Sequence, residues 1–150
     1  MKSTPFSVRT IARSNGVHRL VRLGVGGLFL YAGALKLSDP LSFAIQMEKY
    51  GLLPASWLEP AAWLLPSGEI LAGLATMLGL RGGSEATGLL LLLFLGVLGY
   101  AWWSGLDVPC GCFSLEDEAD RHGIQLAILR DLLLLAGAGF LIWRRRLSLP

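Results

Sequence analysis

Apolar residues in this chain gather into four long runs. They do not show the short alternation of half-buried strands or the one-sided stripe of surface helices. The runs cover about 20–37, 58–80, 86–106 and 124–143. Each is close to the roughly 20 residues that an α-helix needs to cross a bilayer. The pattern predicts an all-α, polytopic membrane four-helix bundle forming a single integral membrane domain, with a basic N-terminal tail over 1–19. The third run is the cleanest, and the fourth is interrupted by Arg130 and Asp131. Between the first two runs, Leu41, Ala44, Ile45 and Met47 mix with Ser42, Gln46, Glu48 and Lys49, a stretch too short and too polar to span. Asp39 as N-cap with Pro40 at the first helical position predicts a short helix at the interface. Ser56 and Glu59 have the spacing of a capping box opening the second span, and Pro66 inside that span predicts a kink or a freed carbonyl.

Charge orients the bundle. Of 150 residues, 53% are hydrophobic and 16% charged, too little charge for a soluble domain of this size. Lys2, Arg9, Arg13, Arg19, Arg22, Arg81, Arg144, Arg145 and Arg146 all fall on one side of four crossings. The positive-inside rule makes that side the cytoplasm, with both termini there, in the cell's inner (plasma) membrane. The connection between the third and fourth spans then faces outward, carrying Asp107, Glu116, Asp117, Glu118 and Asp120 against Arg121. A net charge of +2 with no basic stripe points away from nucleic acid and leaves the lipid bilayer as the surrounding partner. Residues 1–19 are polar and basic with no cleavage site after the first run, so that run reads as a retained anchor. Trp57, Trp63, Trp102, Trp103 and Trp143 fall at predicted interfaces, where indole rings suit the headgroup region, although packing would also allow those positions. The chain has 19 glycines, many inside the spans, which favours close helix approach in lipid.

Two features carry candidate chemistry. Cys110 and Cys112 are the only cysteines and are separated by Gly111 in the outward connection. A bridge closing so small a ring is strained and adds little entropic stabilisation, so a reversible redox pair fits better than a staple. Metal binding through both thiolates with His122 or a loop carboxylate, and a structural or inert role, are the alternatives. Ser114 and Asp117 form a further capping-box pattern that would start a helix after the thiols. The second feature is a set of ionisable residues within the spans: Lys36, Glu69, Arg130 and Asp131. Such residues are costly in lipid and imply pairing or function. Together they can satisfy one another, receive a polar head such as a quinone ring, or relay protons. The plainer reading is a snorkelling Lys36 with Arg130 paired to Glu69 to hold helices together.

Several stretches carry a family resemblance: Phe29-Leu30-Tyr31-Ala32-Gly33-Ala34-Leu35-Lys36, Asp39-Pro40, Leu65-Pro66-Ser67-Gly68-Glu69-Ile70-Leu71-Ala72-Gly73, Cys110-Gly111-Cys112-Phe113 and Arg130-Asp131-Leu132-Leu133. In their order they resemble the DoxX-like superfamily, most closely its MauE branch of small redox-associated membrane proteins. Where the family often has glycine after the phenylalanine, this chain has Ser114. The resemblance implies a four-helix bundle acting with an extracytoplasmic thioredoxin-like partner or a disulfide-containing client in maturing a disulfide-rich dehydrogenase. It also implies kinship in form with thiol–quinone enzymes, which use two cysteine pairs where this chain has one. The expected function is a membrane thiol–disulfide oxidoreductase, with Cys110 and Cys112 catalytic and Lys36, Glu69, Arg130 and Asp131 binding a quinone. The alternatives are a non-enzymatic membrane assembly factor for a redox protein and a small-solute or metal-ion carrier.

Overall fold

The computed structural model describes residues 15–106 and 121–147, all helix, turn or short connection. The helices are α1 (Asn15–Ser38), α2 (Pro40–Tyr50), α3 (Ala55–Leu78), α4 (Gly83–Trp103) and α5 (Arg121–Leu147). The first, third, fourth and fifth are long and apolar enough to cross a membrane. At about 1.5 Å per residue, the 24 residues of α3 reach roughly 36 Å, against a hydrocarbon core of about 30 Å. The 11 residues of α2 reach only about half of that core, so α2 cannot span.

The helix ends follow local chemistry. Asp39 caps α2, its Oδ1 accepting the Ser42 N–H at 3.0 Å and its Oδ2 the Ser42 hydroxyl at 2.6 Å, with Pro40 opening the helix. The side-chain hydrogen bond from Ser42 holds the Asp39 carboxyl below the usual carboxylate range, and the Ser42 backbone N–H acts the same way. Gly51 ends α2 and Gly79 ends α3, both in the left-handed region that a Cβ disfavours. The expected capping box at Ser56 and Glu59 does not form. The helix is capped two residues earlier, at Pro54, whose extended backbone sets the entry and which makes no side-chain cap bond. Pro66 lies buried within α3, which continues past it to Leu78. Its missing N–H withdraws the normal donor from the Ala62 carbonyl, and the Ser67 hydroxyl donates to the neighbouring Trp63 carbonyl at 2.7 Å. The Ser114–Asp117 pattern lies outside the described residues.

The spanning helices pack in a ring: α1 on α3, α3 on α4, α4 on α5, and α5 back on α1, with α2 against α3. The α1–α3 contact is the most extensive. Its closeness depends on glycine, since a Cβ at Gly73 would lie 2.7 Å from the Gly26 carbonyl oxygen and 2.9 Å from the Leu30 nitrogen. At the α3–α4 turn, the Thr76 and Thr87 hydroxyls meet at 2.9 Å, tying two fully buried polar groups to each other. Two apolar clusters complete the core. Phe29, Leu91 and Ala138 join α1, α4 and α5, and Tyr50, Leu98, Ala101, Ile124 and Ala127 join α2, α4 and α5. All five tryptophans are exposed on the bundle surface, as an interfacial belt requires and core packing does not.

Backbone atoms surround Gly73, so an added methyl group there has no flexible neighbour to displace. Gly73→Ala is expected to lower bundle stability by about 1–3 kcal/mol, while Gly96→Ala, with nothing within 4 Å, leaves it unchanged. Reversible unfolding in mixed detergent micelles measures both.

Candidate functional site

A charged cluster occupies the bundle interior where α1, α3 and α5 meet. Lys36 comes from the last turn of α1 and Glu69 from the middle of α3, beside the Pro66-Ser67-Gly68 stretch. The Lys36 ammonium donates to Glu69 Oε1 at 2.5 Å, with residue exposures of only 3% and 1%. Lys36 therefore does not snorkel. Its charge is balanced in place, and it also lies 4.8 Å from the Phe94 ring centroid and 5.4 Å from that of Phe43. One carboxylate and two ring faces thus enclose the ammonium, a desolvated setting in which cation–π attraction is strong.

Arg130 and Asp131 on α5 form the second pair, the Arg130 Nε and Nη2 donating to Asp131 Oδ1 at 2.9 and 2.6 Å. The expected pairing of Arg130 with Glu69 gives way to a Lys36–Glu69 pair between α1 and α3 and an Arg130–Asp131 pair within α5. Both still act together electrostatically, since Asp131 and Arg130 each lie close enough to influence Glu69. All four residues line one cavity of about 20 Å³, together with Leu28, Phe29, Ala32, Leu91, Phe94 and Leu134. Glu69 Oε2 and Asp131 Oδ2 are buried with no hydrogen-bond partner among the described residues. The cavity has room for one water-sized molecule, and a molecule there has two carboxylate oxygens to which it can donate.

Phe94 and Lys36 also border a larger space on their other side. A groove of about 440 Å³ runs between α2, α3 and α4, lined by apolar side chains including Phe43, Tyr50, Trp57, Leu64 and Val97, with Lys36 its single charged residue among the described residues. Its size lies within the range of small-molecule sites. Phe43 and Phe94 were not picked out from sequence. The available signal was Phe94 standing as a lone aromatic within the leucine-rich 89–95 stretch.

Cys110 and Cys112 lie outside the described residues, as does the side chain of His122. Among the described residues, no three or more His, Cys, Asp or Glu gather as metal ligands do. Leu98 and Ala101 on α4 pack with Ile124 and Ala127 on α5, with Tyr50 at the end of α2 completing the cluster. Leu106, the last described residue before the connection, packs against the same cluster.

A family model described as Methylamine utilisation protein MauE matches residues 14–144. No curated protein and no solved structure matches the chain.

If the two rings stabilise the Lys36 charge, their effect must depend on that charge. Phe94→Leu is expected to cost about 1–2 kcal/mol of bundle stability with Lys36 in place, and clearly less in a Lys36→Met background. Equal costs in the two backgrounds would reduce Phe94 to a packing residue.

Proposed function

Because this chain belongs to the MauE family, a family of DoxX-like membrane proteins associated with redox proteins, we propose that it is a membrane assembly factor that holds a redox protein during its maturation. The observation that carries this reading is the buried Tyr50–Leu98–Ala101–Ile124–Ala127 cluster, which fixes both ends of the 107–120 connection and the end of α2 to one another. A bundle built in this way is a firm mount for a client-binding loop. The client is an exported, disulfide-containing protein or its thioredoxin-like helper. The basic ends of α1 and α5 face the cytoplasm and the connection faces outward, a reading supported by the distribution of arginines.

A second reading is thiol–disulfide exchange, favoured by the Cys110-Gly111-Cys112 sequence. In it, one thiolate attacks a client disulfide and releases a client thiolate, forming a mixed disulfide. The other thiolate then resolves it, leaving the client reduced by two electrons and the Cys110–Cys112 pair oxidised. In the opposite direction, the oxidised pair takes two electrons from a client dithiol. Two protons leave with those electrons, and a lipid-soluble quinone in the groove beside Lys36 would accept both. Lys36, Glu69, Arg130 and Asp131 would then position its head and conduct the protons.

Loss of the gene is expected to impair growth on methylamine in a host that uses it, and the native chain is expected to restore growth. Under the assembly reading, a Cys110→Ser/Cys112→Ser chain also restores it. Failure of that variant at normal membrane abundance would replace the assembly reading with thiol exchange. Single-serine chains would then trap the partner as a mixed disulfide.

A further inference from the structure

The groove between α2, α3 and α4 opens on the lipid-facing surface of the bundle. Trp57 and Leu64 of α3 and Leu93 of α4 line it and are 63%, 72% and 49% exposed. Its long direction follows α3. Trp57 marks one end, at the depth where an exposed indole meets the headgroups. Leu65 and Phe94 mark the other, beside Lys36. From Trp57 to Leu65 the α3 helix rises about 12 Å, most of the roughly 15 Å that one leaflet contributes to the hydrocarbon core. The groove therefore runs from headgroup level into the leaflet on the side of the 107–120 connection.

The inner end of the groove offers a polar head little to bind. The Lys36 ammonium is engaged by Glu69 and by the rings of Phe43 and Phe94, and the residue is 3% exposed. Leu65, Leu93 and Val97 make up the lining around it. A polar head seated there loses its hydration without an equal return in hydrogen bonds. A hydrocarbon tail loses nothing. It gains dispersion contacts with helix surfaces that otherwise face each other across about 440 Å³ of space. The apolar end of an occupant thus lies beside Phe94 and its polar end beside Trp57, which is the orientation of a lipid in this leaflet. A quinone whose head sits beside Lys36 has the opposite orientation, so the two occupants exclude each other.

We propose that the groove holds one acyl chain of a membrane phospholipid, lying along α3 with its headgroup beside Trp57 and packing between α2 and α4. The site selects the tail, because the contacts it offers are to hydrocarbon. It is independent of the client and of the thiols.

The full chain in detergent micelles, titrated with dioleoylphosphatidylcholine, dioleoylphosphatidylglycerol or ubiquinone and read by intact-complex mass spectrometry, tests this. The native chain is expected to retain both phospholipids to within about twofold of each other, and to keep them when ubiquinone is added. Ala61→Phe and Leu64→Trp each add volume at a groove-lining position and are expected to weaken retention about fivefold. Two filling positions keep the test open should one variant unfold. Leu89→Phe, on an exposed part of α4 outside the groove, is expected to leave retention unchanged. Failure to retain phospholipid, its displacement by ubiquinone, a strong preference for one headgroup, indifference to both groove fillings, or an equal loss on Leu89→Phe would each overturn the assignment.

Discussion

A lysine and a glutamate that neutralise each other inside the membrane set the geometry of this bundle. Lys36 and Glu69 bring opposite charges from α1 and α3 to 2.5 Å, almost fully shielded from solvent. Neither charge is tolerable there alone, because desolvation of an unpaired ion outweighs most packing gains. The pair therefore fixes how far α1 is rotated and how deep it sits against α3. Glycine makes that approach feasible. Gly26 and Gly73 bring the two backbones so close that neither can carry a side chain. Charge pairing selects the register, and the absence of Cβ atoms permits it.

From this pair the remaining architecture extends in two directions. Across the interior, Phe94 lies over the ammonium between a small cavity, lined by Glu69, Arg130 and Asp131, and an apolar groove along α2, α3 and α4. A single lysine thus borders both a cavity lined by two carboxylates and an apolar groove. Along the bundle axis, the two ends diverge in character. Among the described residues, one gathers arginines with a single acid, and the other ties α2, α4 and α5 into an apolar cluster at the ends of the cysteine-bearing connection.

Much of this was legible in the sequence because the bilayer imposes simple rules. Run length set the number of spans, and the mixed polarity of 40–50 marked α2 as too short to cross. Asp39 and Pro40 announced the α2 cap, since their roles depend only on neighbours in sequence. The four ionisable residues stood out because charge in lipid demands a reason. Their pairing was not legible. Whether Glu69 meets Lys36 or Arg130 depends on helix rotation, which hydropathy does not encode, and Arg130 finds its acceptor in the adjacent residue. The Ser56–Glu59 spacing misled because the preceding Pro54 already fixes the helix entry. The rings around Lys36 were hidden for a related reason: an aromatic among leucines looks like packing until its face is seen to meet a charge.

The most direct test of this account is a double-mutant cycle on the full chain, built from Lys36→Met, Glu69→Leu and their combination, with bundle stability read by reversible unfolding in micelles. Each single change strands a buried charge, whereas the combined change strands none. The account predicts that the two losses fail to add by about 2–3 kcal/mol, the combined variant being more stable than either single one. Losses that sum to within about 0.5 kcal/mol would contradict it, because two independent side chains behave that way.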